Sequence, residues 1–178
     1  YADPMNRAKG MTREEAFFSN KELDRIHELP RGVAWEAVDV PDAAYADGRI
    51  AGHGIRMLQS AKEHGDTPFF IAIGFVKPHL PLTAPIRYWD LHDPSRFRLA
   101  ENRNLPLGAP AYAGKGGGEI NNYEDMPLDG RLDDAAARRL IHAYYAATSF
   151  VDAQLGRVID ELDRLGLADS TTLVFTSD

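Results

Sequence analysis

The sequence contains no cysteine among its 178 residues. This absence excludes, within these residues, a disulfide framework, a thiolate zinc site and a cysteine nucleophile. The chain also has no apolar run near the roughly 18–20 residues that a membrane-spanning helix needs. Positive charge is in deficit, because 20 Lys and Arg stand against 27 Asp and Glu, for a net charge of −7. We therefore expect neither a membrane span nor a nucleic-acid partner.

The sequence further lacks an initiator methionine and a signal peptide with a basic start and an apolar core. It stops on Asp178, directly after a segment typical of a β-strand. The apolar share of 44% and the charged share of 26% are those of a folded globular domain. We interpret the chain as a piece of a longer protein, truncated at both ends.

Hydrophobic periodicity predicts two substantial helices. One covers Asp47–His64, and the stronger one runs from Asp133 to about Leu165, where Gly166 provides a Schellman-type end. Residues 1–32 are polar and irregular, and a capping box there predicts a short helix over about Asn20–Glu28.

Two apolar runs predict buried strands. Residues 69–76 are apolar on both faces, and residues 171–176 follow the long helix. Residues 33–40 also look extended. Because helices alternate with strands, we expect an α/β fold with a parallel sheet and crossover helices, spanning residues 33–178.

Three chemically capable side chains follow these two strands. Lys77 and His79 come after the first strand, and Asp178 comes after the second. Ligands of open parallel sheets bind beyond the carboxyl ends of the strands, where a cation, an imidazole and a carboxylate can hold an anion and a divalent metal. A solvated Lys-Pro-His turn and an Asp that caps a turn fit the same spacing. Spacing leaves both interpretations open.

Residues 77–130 form a long connection rich in proline and glycine, a length typical of functional or disordered loops. Within it, Gly114–Gly118 surrounds Lys115 and suggests a phosphate-binding loop. No Ser or Thr follows the lysine and no strand precedes it, so a flexible loop is the better interpretation.

Three segments, in the same order along the chain, resemble the sulfatase family. They are PFFIAIGFVKPHLPLTAP at 68–85 with YWDL at 88–91, YYAATSFVDAQLGR at 144–157 and LGLADSTTLVFTSD at 165–178. The resemblance is strongest to the iduronate-2-sulfatase-like and choline-sulfatase-like branch of the alkaline phosphatase superfamily. It covers residues 33–178.

This resemblance implies an alkaline-phosphatase-like parallel-sheet core and hydrolysis of sulfate esters. It implies that Asp178 is a ligand of a divalent cation, usually Ca²⁺. It further implies that His79 contacts the sulfate and protonates the leaving oxygen, while Lys77 touches the anion or shapes its field. The family's nucleophile is a formylglycine made from Cys or Ser in a motif that is absent here. We therefore expect the nucleophile outside this chain, and the chain by itself to be inactive.

The resemblance also implies a sulfated small molecule or a sulfated carbohydrate as substrate, and it favours a periplasmic or extracellular location. Two alternatives stay open. One is a phosphodiester or phosphonate hydrolase of the same superfamily, and the other is a non-catalytic binding domain that kept the fold.

Overall fold

The computed structural model describes residues 1–113, 118–127, 129 and 131–177. The α-helices in this part of the chain are α1 (Pro4–Arg7), α2 (Arg13–Ser19), α3 (Ala46–Glu63), α4 (Ile86–Trp89) and α5 (Asp134–Arg164). The strands are β1 (Trp35–Val38) and β2 (Leu82–Pro85). Short 3₁₀ turns occur at Leu23–Arg25, Asp42–Ala44, Pro94–Arg96, Ala111–Ala113, Glu119–Asn122 and Ala168–Ser170.

The two strands form a parallel pair, in register from Trp35 opposite Leu82 to Val38 opposite Pro85. The connection between them passes through α3, as a parallel crossover requires. Helix α5 packs against β2 on one side and against α3 on another. The predicted α/β class with a parallel sheet and crossover helices is therefore confirmed for this part of the fold.

The main core lies between α5, α4 and the strand pair. Its buried members combine aromatic rings with small alanines: Tyr45, Leu82, Ala84, Tyr88, Trp89, Ala143, Ala146, Ala147 and Phe150. The alanines let α5 approach β2 closely, and the Phe150 ring fills the space beside Tyr45 and Tyr88. Burying a ring such as Phe150 contributes about 1.5–3 kcal/mol.

The two predicted long helices are confirmed to within a residue or two at their ends. Helix α3 ends at Glu63, His64 is its C-cap residue, and Gly65 follows with a φ of +65°. Helix α5 begins after Asp133, whose carboxylate accepts a 2.7 Å hydrogen bond from the amide of Ala136. Asp at this position satisfies an amide that the helix cannot pair internally.

The predicted Schellman-type end of α5 is also confirmed. The Gly166 amide donates to the Asp163 carbonyl at 2.9 Å, and the Leu167 amide donates to the Leu162 carbonyl at 3.1 Å. These are the two bonds that define the motif, and Gly166 has the left-handed φ of +64° that it needs.

The predicted strands over 69–76 and 171–176 are not present as strands. The strand pair lies at β1 and β2, so β2 falls inside the segment predicted to be a long connection. A strand is defined by hydrogen bonds to a neighbour, and no described segment pairs with either apolar run. The extended region predicted around residues 33–40 does contain β1.

The predicted helix over Asn20–Glu28 is wrong. Asn20 and Glu22 both have φ of +54°, which no right-handed helix accommodates. A different capping box forms nearer the start of the chain, at Thr12 and Glu15. The Thr12 hydroxyl accepts from the Glu15 amide at 3.3 Å, and the Glu15 carboxylate accepts from the Thr12 amide at 3.0 Å. This box starts α2, which ends at Ser19.

A buried carboxylate ties α1 to the strand pair. Glu36 of β1 accepts hydrogen bonds from the amides of Ala2 and Asp3 at 2.6 and 3.0 Å. It also accepts from Asn6 Nδ2 and from the Tyr45 hydroxyl, each at 2.7 Å. Burial, together with the bond to Glu36, raises the pKa of Tyr45 far above its usual range. Four donors thus compensate the buried charge of Glu36.

No helix in the part of the chain that the structure describes is long and apolar enough to cross a bilayer.

Candidate functional site

Lys77 and His79 lie in one tight loop that leads directly into β2. The His79 amide donates to the Val76 carbonyl at 3.0 Å, which closes the loop. The Lys77 ammonium donates to the His79 carbonyl at 3.1 Å. Both proline bonds of the loop, Lys77–Pro78 and Leu80–Pro81, are cis. The structure therefore places the two predicted residues, Lys77 and His79, in one closed loop.

The loop is held from α3 by Asp47. This side chain is only 1% exposed. One carboxylate oxygen accepts from the Val76 amide and the other from the Lys77 amide, each at 2.9 Å. Sequence reasoning missed this residue, because an Asp in the first turn of a helix is expected to stabilise that helix. No local pattern indicates partners about 30 residues away.

The environment of Lys77 weakens its positive charge. Burial lowers the pKa of the Lys77 ammonium from 10.5 to about 8, although the charge of Asp47 acts in the opposite direction. A buried amine loses hydration when it is charged, so burial favours its neutral form. Lys77 is thus a cation whose charge depends on pH within the range where enzymes work.

The two nitrogens of His79 have different partners. Nδ1 lies 2.7 Å from the Leu80 carbonyl oxygen, which can only accept, so Nδ1 carries a hydrogen. Nε2 lies 3.5 Å from a carboxylate oxygen of Glu119. The side chains of His79 and Glu119 are 52% and 49% exposed, so this contact is at the surface. Nε2 is therefore the nitrogen that faces Glu119.

Glu119 is a second residue that sequence reasoning missed. It belongs to the 3₁₀ turn Glu119–Asn122, just after the glycine-rich segment, and its other oxygen accepts from the Tyr123 hydroxyl at 3.2 Å. Burial, followed by the charge of Glu119, raises the pKa of Tyr123 above its usual range. A carboxylate joined to a buried tyrosine thus faces the candidate imidazole.

Other histidines have structural surroundings. His142 Nε2 lies 2.9 Å from the Trp89 carbonyl, and the two rings make an edge contact at 4.9 Å. His53 lies on α3, and His64 is the residue that follows its last turn.

The predicted metal ligand, Asp178, lies outside the described residues, as do residues 114–117 of the glycine-rich segment. Among the described residues, no group of three or more His, Asp or Glu side chains is arranged to hold a metal ion. The part of the chain seen here does not by itself assemble a metal centre. The convergence of His79 and Asp178 on one pocket stays a prediction.

Comparison with known proteins identifies the family. A family model described as Sulfatase matches residues 4–178, and so extends further toward the start of the chain than the resemblance in the sequence motifs. Human iduronate 2-sulfatase is 32% identical over 149 residues, which are 80% of this chain and 27% of that protein.

Two bacterial relatives give the same result. A sulfatase of Formosa agariphila is 32% identical over 123 residues, covering 68% of this chain and 24% of its own. The choline-sulfatase of Rhizobium meliloti is 26% identical over 126 residues, covering 69% and 24%. The chain thus spans about a quarter of the length of these relatives. Since the family match covers nearly all of the sequence, the chain belongs to the sulfatase family.

Proposed function

We propose that the protein containing this chain hydrolyses sulfate esters, and that Lys77 and His79 act on the sulfate group. The observation that carries the proposal is the loop that holds both Lys77 and His79, with the Lys77 ammonium bonded to the His79 carbonyl, in a chain of the sulfatase family. A sulfate ester is an anion, and fixed positive charge and hydrogen-bond donors stabilise the further charge that develops as it reacts.

His79 and Lys77 have distinct roles in this proposal. The Leu80 carbonyl holds the hydrogen of His79 on Nδ1, so Nε2 carries a hydrogen only when the ring is protonated, and in that form Nε2 delivers its proton to the leaving oxygen. The Lys77 ammonium, held against the His79 carbonyl, offsets the negative charge of the sulfate oxygens. Glu119 pairs with the imidazolium when His79 is protonated.

The proposal includes two components that lie outside the described residues. A divalent metal, for which we propose Ca²⁺, would be held by Asp178 and by ligands elsewhere in the longer protein, and would neutralise sulfate charge. A formylglycine would be the nucleophile, also from outside this chain.

We further propose a sulfated small molecule or a sulfated carbohydrate as substrate, and a periplasmic or extracellular location. The 178-residue chain by itself is inactive under this proposal, because its sequence contains no nucleophile motif.

The first test reads the gene on both sides of this chain and assays the complete protein on an aryl sulfate and an aryl phosphodiester. We expect a sulfatase nucleophile motif upstream, a metal ligand after Asp178 and faster turnover of the sulfate ester. Faster turnover of the phosphodiester identifies the alternative hydrolase. Absence of both activities and of calcium binding identifies a non-catalytic binding domain.

The second test changes the imidazole. His79→Ala should lower kcat on the aryl sulfate by about 10²–10⁴-fold, the usual contribution of a general acid. The control is His53→Ala, since His53 is an exposed histidine on α3 outside the loop. Equal activity of the two variants contradicts the role of His79.

A further inference from the structure

We propose that Asp47 is the positioning residue of the candidate catalytic loop. Its carboxylate fixes the peptide groups at Val76 and Lys77, and so determines where the Lys77 ammonium and the His79 imidazole stand. The inference rests on the proposed role of this loop in sulfate ester hydrolysis. It adds a residue that acts through others and does not touch the substrate.

The geometry is that of a two-pronged clamp. The two oxygens of one carboxylate each accept from one of two successive amides, at the same distance of 2.9 Å. Two bonds from one rigid group fix the orientation of the backbone as well as its distance. Charged acceptors also make stronger hydrogen bonds than neutral ones.

Asp47 is the acceptor that the structure gives to these amides. Residues 69–76 form no strand within the described part of the chain, so no strand ladder there provides an acceptor for the Val76 amide. A partly buried backbone amide requires an acceptor, and Asp47 provides one for each of the two residues. The path of the chain into Pro78 and His79 is thus determined by a side chain.

Asp47 is itself held in place by a long helix. Asp47 lies in the first turn of α3, an 18-residue helix, and is almost fully buried. The amino end of a helix stabilises a negative charge, so this is a favourable place for a carboxylate. Because α3 packs along α5, the loop is fixed to the body of the domain.

Asp47 also supports the charge of Lys77. Burial favours the neutral amine, and the negative charge of Asp47 opposes that effect. On the loop itself, His79 provides its carbonyl to the ammonium, and Glu119 faces His79 from the Glu119–Asn122 turn. Loss of Asp47 should therefore change both the geometry of the loop and the pH range in which Lys77 is charged.

The first experiment measures amide hydrogen exchange over residues 74–80 in the complete protein and needs no activity. We expect Asp47→Asn to exchange faster there, because an amide side chain has one acceptor oxygen for two donors. Asp66→Asn is the matched control, since Asp66 is exposed and precedes the same segment. Unchanged exchange in Asp47→Asn overturns the clamp, whatever the activity of the protein.

The second experiment measures kcat, KM and the pH profile on an aryl sulfate. We expect Asp47→Asn to lower kcat on the order of 10²-fold, as expected for a displaced catalytic group. The alkaline limb of its pH profile, where activity falls as Lys77 loses its charge, should move to lower pH, because Asp47 no longer supports that charge. Asp47→Glu keeps the negative charge but has a longer side chain. It should therefore return the alkaline limb of the pH profile toward its wild-type position, while kcat stays low.

The outcomes separate the two proposals. Faster exchange with an unchanged kcat and pH profile means that Asp47 is merely structural, which overturns the positioning role. A wild-type protein without sulfatase activity overturns the proposed function, while the exchange result still decides the clamp. If Asp47→Asn does not fold, the same measurements on Asp47→Glu decide, and a normal kcat there contradicts the inference.

Discussion

Two opposite effects of its environment set the pKa of Lys77. Burial lowers its pKa from 10.5 to about 8, and the nearby charge of Asp47 limits the shift. Its ammonium donates to the His79 carbonyl. Lys77 is thus charged at neutral pH and loses its charge just above it, so its function and its contribution to stability should both depend on pH.

The first prediction concerns activity at alkaline pH. Turnover of a sulfate ester by the complete protein should fall as the pH rises through about 8, because the neutral amine no longer offsets the sulfate charge. Lys77→Arg keeps its charge throughout this range and should lose that alkaline limb. A limb that stays in Lys77→Arg contradicts the assignment to Lys77.

The second prediction concerns stability, and its sign follows from proton binding. Between pH 8 and 10.5 the unfolded chain holds the Lys77 proton that the folded protein has released. The contribution of Lys77 to the free energy of unfolding should therefore rise with pH across this window. Urea unfolding of Lys77→Met, which does not titrate, should lack this rise. The same change at the exposed Lys62 is the control, and equal behaviour of the two variants contradicts the prediction.

At the scale of residues, the sequence predicted the two candidate residues of the loop but not the residues that contact the loop from other parts of the chain. Lys77 and His79 are only two residues apart in a recognisable motif, so the sequence shows them together. Asp47 and Glu119 reach the loop from 30 and 40 residues away along the chain. These pairings depend on how α3 and the Glu119–Asn122 turn fold against the loop, which no local pattern encodes.

At the scale of elements, α3 contains glycines with different surroundings. A methyl group at Gly48 would lie 2.1 Å from the backbone oxygen of Asp42, so only glycine lets the helix approach the Asp42–Ala44 turn. At Gly52 the nearest atom to such a methyl group is a terminal nitrogen of Arg56, at 3.7 Å. The sequence shows both as helix-weakening glycines, but only one is required for packing.

The third prediction uses this contrast. Gly52→Ala should stabilise the protein by about 0.5–1 kcal/mol, because alanine favours the helix and meets no obstacle. Gly48→Ala should destabilise it by about 1–3 kcal/mol, because backbone must move to make space. Chemical unfolding of both variants checks this. Equal stabilisation of the two would contradict the close approach at Gly48.

Among the elements, helices were easier to predict than strands. A long helix such as α5 contains its own hydrogen bonds and shows its period over many residues, so its bounds follow from the pattern. A strand needs a partner, and the apolar runs 69–76 and 171–176 have none among the described residues. The short helix predicted over Asn20–Glu28 is wrong because a capping-box pattern can occur without forming. The capping box that does form is that of Thr12 and Glu15, which starts α2.

At the scale of the whole molecule, the two apolar runs leave large side chains uncovered. Phe70 is 92% exposed, and Val174 and Phe175 are 78% and 76% exposed. An open apolar groove of about 410 Å³ lies between α3 and residues 72–73. Large exposed apolar side chains and an open apolar groove promote association.

The fourth prediction follows for the 178-residue chain. It should bind the dye ANS and self-associate in analytical ultracentrifugation, and Phe70→Ser combined with Phe175→Ser should reduce both. Leu91→Ser is the control, because Leu91 is also exposed but lies outside the two runs. A monomeric wild-type chain that does not enhance ANS fluorescence would contradict the expectation.

The carboxylate of Glu36 has a consequence for proteolysis. Trypsin cuts a folded chain where it opens locally, and α1 cannot open without breaking bonds to Glu36. Cleavage after Arg7 should therefore be slower than cleavage after Arg98, which lies in a segment without helix or strand. In Glu36→Ala the two sites should become similarly sensitive, and no change at Arg7 would contradict this. A strand residue thus determines how long a distant scissile bond survives a protease.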